Sequence, residues 1–184
     1  MRKLFVAGLL SAMLSVVPAM AQDYTMRVAN VINEDTAGGT VLVRVAERLN
    51  ARNIGLKVEV FNGGVLGSEV ETLDQISRGA LEAMVSQGIV LLSQYDDRFA
   101  VEELPFLFPS SEAAQAAFDG EFGAALQAAA HERDFVILGF WENGVRHFTN
   151  SKRPIINPED MAGLRFRSGQ SPIRLDMFAA LGTA

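Results

Sequence analysis

Hydrophobic and polar positions along this chain switch between two periods. Tyr24 to Asn30 alternates, as do Leu56, Val58 and Val60 against Lys57 and Glu59, which is the pattern of strands with two unlike faces. Between them Val41, Leu42, Val45, Ala46 and Leu49 recur at helical spacing and predict a helix from about Gly38 to Asn53. Asn62-Gly63-Gly64 reads as a turn. Ser68 and Glu71 form a capping box, opening a helix that runs to about Gly79. Ala83 to Ser86 is expected to be a short buried strand, with Gln87-Gly88 at its carboxyl end. Glu102 to Pro109 reads as an apolar loop, followed by Ala-rich helices over Ser111–Phe118 and Glu121–Arg133 and a strand over Phe135–Trp141. Pro158, after Asn157, marks a helix start. Leu164–Arg167 is expected to be a strand, and Ser171-Pro172 opens a last helix reaching Leu181. Strands alternating with helices predict an α/β fold with a mostly parallel sheet.

The first residues stand outside this rhythm. Arg2 and Lys3 precede an apolar run from Leu4 to Val17, and Ala19-Met20-Ala21 matches a small-x-small cleavage site. The run is too short to span a bilayer and reads as a Sec-type signal peptide cut after Ala21, so the mature chain is expected outside the inner membrane and not embedded in it. Loss of two basic residues with the leader takes the net charge from −6 to −8. An acidic chain argues against nucleic acid as a partner and makes any anion site a local positive focus. With no cysteine, disulfides, thiolate metal sites and cysteine nucleophiles are excluded.

The candidate chemistry lies in Phe140 to Arg167. Arg146 and Arg167 each sit among apolar residues beside strand-like sequence. A guanidinium is always charged and presents a planar fork that fits a carboxylate. Arg167 reads either as a ligand for an acidic molecule or as the partner of an acid nearby, Glu159 or Asp160; Arg146 reads as a second such group or as an arginine with its head in water. Asn30 and Gln87 close strands whose carboxyl ends are where open α/β sheets bind ligands, and each is also a plausible turn residue. Trp141 reads as core or as a cleft wall. Gly63-Gly64 before Ser68 is not a phosphate cradle, because the capping box uses the free amides there. His131 and His147 lack metal-ligand spacing, and no Gly-x-Ser-x-Gly elbow occurs. The adjacent acids Asp96-Asp97 and Glu102-Glu103 are expected to be solvated.

The same stretch carries a resemblance. Trp141, Asn143-Gly144, Arg146, Thr149 to Ser151, Arg153 to Ile155, Pro158 to Asp160, Gly163-Leu164 and Arg167 resemble the signature region of the solute-binding proteins of TRAP (tripartite ATP-independent periplasmic) transporters. The likeness extends over the mature chain. It implies a two-lobe, type II-like periplasmic binding fold, with 22–144 as the first lobe, 145–184 as the start of the second, and the change of lobe near Asn143 to His147. In the family the point reached at Ala184 is the middle of the second lobe and the chain continues about as far again, crossing back to finish both lobes, so the chain is expected to be a C-terminally truncated member. The resemblance further implies a periplasmic receptor that captures a small organic carboxylate in the inter-lobe cleft and delivers it to TRAP permease subunits in the membrane. Arg167 would make the main two-pronged salt bridge, and Arg146, Gln87, Asn30 and Trp141 would line the site. Gln87 is neutral where some members place an acid, and Leu104 to Phe108 matches a Leu-Pro-Phe that would plug the lobes together. A monomer without cofactor, metal or enzymatic activity is expected. A sensory module reporting to a kinase, or an exported hydrolase, are the alternative functions.

Overall fold

The computed structural model describes residues 24–142, 144–169 and 171–183. The expected leader and Asn143 lie outside them. Strand β1 (Tyr24–Asn30) leads through helix α1 (Ala37–Asn50) to β2 (Leu56–Phe61), and helix α2 (Glu69–Ser77) leads on to β3 (Ala83–Val85). The three strands form one parallel sheet in the order β2-β1-β3. The chain therefore steps from β1 to one side and then crosses back over β1 to the other. Crossovers between parallel strands are right-handed, so two crossovers in opposite directions place their helices on opposite faces.

The side chains agree with that topology. Val28, Val58, Leu42 and Ala46 form one buried cluster, joining α1 to the sheet face that also carries Val60, Ala83 and Val85. Met84 points the other way, into a second cluster of Leu73, Phe99, Leu126, Ala129, Ala130 and Phe135. The second cluster is completed by helices α3 (Ser111–Phe118) and α4 (Glu121–His131), with 3-10 turns over Ile89–Gln94 and Asp97–Glu103. Phe99 is completely buried at its centre.

The helix boundaries follow from local capping. Thr36 accepts from the Gly39 amide, and Ser110 accepts from Ala113. Ser68 and Glu71 make the reciprocal capping box expected of them, which holds the Glu71 carboxyl below its ordinary pKa. The Arg27 guanidinium grips Glu82 with bonds of 2.7 and 2.8 Å while the Arg27 amide donates to the same carboxylate at 2.9 Å. This side chain thus continues the β1–β3 ladder one step before the first backbone pair, Val28 with Ala83. The contact lowers the Glu82 pKa to about 2.

Three expectations are corrected. Phe135–Trp141 and Leu164–Arg167 form no strand, because a strand is defined by ladder bonds to a neighbour's backbone and these segments make none among the described residues. Phe135–Trp141 keeps only the side-chain signature, with Phe135 buried and Ile137 half-buried while Val136 and Leu138 stand 72% and 79% exposed. The helix expected at Pro158 is a single 3-10 turn, Pro158–Met161, and the last helix, α5 (Pro172–Ala180), follows after an irregular segment. The acids read as solvated are mostly engaged. Asp96 pairs with Arg98 and Arg133, Glu103 with Arg174, and Glu102 accepts from the Val90 amide.

Gly39 supplies a test of how closely the β1–α1 loop packs. A Cβ there would lie 2.2 Å from the Asn33 carbonyl oxygen, whereas one on Gly38 would make ordinary contact with Ile32 at 3.4 Å. Gly38→Ala is expected to gain up to about 1 kcal/mol from helix propensity. Gly39→Ala is expected to lose about 1–3 kcal/mol through the forced shift. Urea unfolding of the two variants checks the opposite signs.

Candidate functional site

All three strands point the same way, so their carboxyl ends lie on one edge of the sheet. The connections from β1 and β3 leave that edge in different directions, which makes the β1–β3 gap a topological switch point, where open α/β sheets leave a crevice. Asn30 ends β1 there, and Gln87 lies two residues beyond the end of β3.

Asn30 is 2% exposed. Its side-chain amide donates to Asn62 Oδ1 at 2.9 Å, and its carbonyl oxygen Oδ1 accepts from the Ile32 amide at 3.1 Å. The backbone carbonyl of Asn30 accepts from Gly64 at 3.0 Å. Asn30 thereby ties the ends of β1 and β2 into one rigid polar rim. Gly63 and Gly64, with φ of +70° and +71°, supply the left-handed turn that lets the chain fold back onto it.

The Gln87 loop is held as firmly. Its amide donates to Glu69 Oε1 at 2.6 Å, joining it to the first turn of α2. Ser86 Oγ donates to the Gly88 carbonyl at 2.7 Å, and two residues on, the Val90 amide donates to Glu102 Oε2 at 2.9 Å. These bonds occupy the backbone and leave the Gln87 side chain exposed at the rim.

Arg146 and Arg167 are carried by segments that an aromatic group draws together. Phe148 and Phe166 have ring centroids 5.5 Å apart, and both contact Phe178 of α5, at 5.8 and 5.4 Å. Phe148 is two residues from Arg146 and Phe166 is adjacent to Arg167, so the two arginine segments run close to one another. Arg146 and Arg167 are both exposed. Among the described residues neither makes an ion pair. Asp160, one of the acids weighed as a partner for Arg167, instead accepts from the Ile156 and Asn157 amides, both at 2.9 Å, and its pKa is lowered by them. Trp141 is exposed but set between anchored neighbours. Phe140 packs on Phe118 with centroids 4.9 Å apart, and Glu142 accepts from Ser111 Oγ.

A sequence model of the bacterial extracellular solute-binding proteins, family 7, matches residues 28–184. The chain belongs to that family. Within it, the chain is 28% identical over 177 residues to the C4-dicarboxylate-binding periplasmic protein of Rhodobacter capsulatus, an alignment that covers 96% of this chain and 53% of the relative. A solved TRAP periplasmic solute-binding protein from Ochrobactrum anthropi, with its C-terminus bound in the ligand-binding pocket, is 34% identical with a TM-score of 0.79, covering 89% of this chain and 51% of that one. Another from a Sulfitobacter species, with bound β-D-galacturonate, is 31% identical with a TM-score of 0.81, covering 87% and 53%. This family 7 chain thus has the α/β fold of the TRAP solute-binding proteins and spans about half the length of these relatives.

The structure also brings forward residues that the sequence reading passed over. Glu69 anchors Gln87, Glu102 sits against the same loop, and Arg174 of α5 reaches back to Glu103. The available signal was the acid pair itself, placed directly before the apolar Leu104-Pro105-Phe106, where solvation is hard to keep.

Burial pushes the Glu102 carboxyl above its ordinary pKa, and the neighbouring Glu103 adds to this, against the Val90 and Ile89 amides and Arg174, which act the other way. A carboxyl whose folded pKa is raised costs stability when ionised, and that cost is relieved as the pH falls through the raised value. Glu102→Gln keeps an acceptor for Val90 and is expected to raise the melting temperature at pH 7. The difference from wild type should vanish below the ordinary glutamate value of about 4.3. Thermal scans between pH 4 and pH 8 check it, and a lower melting temperature at pH 7 would show that the charge is stabilising.

Proposed function

We propose that this chain belongs to the ligand receptor of a TRAP transporter, which captures a small organic carboxylate in the periplasm and delivers it to permease subunits in the membrane. In this reading residues 22–144 form the first lobe, with the leader 1–21 removed on export, and residues from 145 begin the second. The protein acts as a monomer and as a carrier, not as an enzyme.

The observation that carries the reading is the placement of the two arginines. The Phe148–Phe166–Phe178 stack sets their segments side by side, and no carboxylate of the described residues neutralises either one. In a chain whose net charge is −6, two guanidinium groups carried on neighbouring segments form a local positive focus. A bidentate arginine orients a carboxylate as well as attracting it. Arg167 takes the main salt bridge and Arg146 the second contact. Gln87 faces the rest of the ligand from the sheet edge, Asn30, buried and bonded to Asn62, braces that edge from behind where a ligand contact was expected of it, and Trp141 walls the cleft. Family membership supports the same assignment, since the relatives named above include a dicarboxylate binder and a protein with a bound sugar acid.

The test is calorimetric titration of the protein, expressed from its complete reading frame, with succinate and with D-galacturonate. Losing one partner of a buried charge pair typically costs about 2–5 kcal/mol. Arg167→Ala is therefore expected to weaken binding by well over tenfold, at about 1.4 kcal/mol per tenfold, with the melting temperature nearly unchanged. Arg146→Ala should weaken it less. Unchanged affinity in Arg167→Ala would remove that residue from the site, and chemical turnover of a bound acid would overturn the carrier assignment.

A further inference from the structure

Two glycines lie close against charged side-chain tips. Gly88 has an extended backbone, with φ at −173°. A Cβ on it would lie 3.0 and 3.3 Å from the two carboxylate oxygens of Glu102. A Cβ on Gly169 would lie 2.8 Å from a terminal nitrogen of Arg174. Gly88 directly follows Gln87, and Gly169 comes two residues after Arg167. Each glycine thus lets a charged side chain lie flat against a turn that carries a candidate ligand contact.

Those two charged groups belong to one assembly. Glu102 and Glu103 are neighbours at the end of the 3-10 turn Asp97–Glu103. Arg174 grips Glu103 with both edges of its fork, Nε to Oε2 at 2.7 Å and the terminal nitrogen to Oε1. The pair is withdrawn from water, with the Glu103 side chain 7% and the Arg174 side chain 25% exposed. A continuous path therefore runs from the Gln87–Gly88 turn through Glu102, Glu103 and Arg174 to the turn after Arg167. Ser171 Oγ accepts from the Arg174 amide at 3.4 Å, which fixes the root of the side chain beside the same turn.

We propose that Arg174, clamped by Glu103, is a positioning residue that holds the Arg167 turn and the Gln87 turn in one fixed relation. Its site role rests on the reading that Arg167 and Gln87 face a bound carboxylate. A planar fork locked on a buried carboxylate fixes direction as well as distance, which a single ammonium does not. Buried ion pairs contribute little net stability but can select one arrangement over its alternatives. Ligand-binding groups hold their geometry only when the residues behind them are themselves locked.

The test uses the protein expressed from its complete reading frame and reads two things, amide hydrogen exchange and affinity for D-galacturonate and succinate. The variants are Arg174→Lys, which keeps the charge and loses the fork, and Gly169→Ala, which displaces the guanidinium without removing it. The exchanged pair Glu103→Arg with Arg174→Glu restores opposite charges. Arg174→Lys and Gly169→Ala are expected to lose exchange protection jointly at Gly88–Val90 and at Ser168–Arg174, and to weaken probe binding about tenfold, mainly through faster dissociation. The exchanged pair should recover part of both. Protection lost at Ser168–Arg174 alone, or wild-type affinity in Arg174→Lys, would overturn the proposal. A wild-type protein that binds neither probe would count against the carboxylate reading alone, because the exchange measurement needs no ligand.

Discussion

The central strand β1 exchanges backbone hydrogen bonds with β2 on one side and β3 on the other, all three running in parallel. A strand paired on both edges in a parallel sheet has to be covered on both faces. Here α1 covers one and the α2–α4 cluster covers the other. The same constraint creates the candidate site, since a chain that crosses β1 in both directions leaves a gap at its carboxyl end that neither connection fills. The ends of β1 and of the loop after β3 face that gap, and their polar groups are used internally: the Asn30 side chain by Asn62, its backbone carbonyl by Gly64, and the Gln87 backbone amide by Glu69.

Charge is distributed with the same economy. Arg27, Arg98, Arg133 and Arg174 each meet a carboxylate, and each pair fastens elements distant in sequence or caps a turn. Arg98 and Arg133 converge on Asp96, which holds its carboxyl well below the ordinary range, with Arg98 the larger cause. Exposed pairs such as Arg27–Glu82 contribute little stability. Their geometric role is clearer, because Glu82 stands where a backbone carbonyl would extend the ladder. Arg146 and Arg167 differ from these four in making no ion pair among the described residues.

Apolar surface has its own pattern. Val136 and Leu138 face outward beside the inward Phe135 and Ile137, so this segment is apolar on both sides. That composition suits a strand buried on both faces of a parallel sheet. Phe106 is fully exposed and has φ of +58°, a conformation that a bulky side chain rarely adopts. Both features belong to a chain spanning about half the length of the relatives it matches.

Periodicity and capping were enough to place β1, β2 and the helices to within a few residues, because 3.6- and 2-residue repeats and Ser–Glu caps are local interactions. The arginine-bearing stretch was legible for a similar reason, since its motif is contiguous. Three things were decided only in three dimensions. Phe135–Trp141 and Leu164–Arg167 have strand composition but no ladder, because pairing requires a second backbone that composition does not supply. The Asn30 side chain found its partner in Asn62, at the end of another strand. Glu102 and Glu103 looked like solvated neighbours until α5 delivered Arg174 from 71 residues away. Whether a charged group meets water or a partner depends on which distant element lands beside it, and only the folded chain settles that.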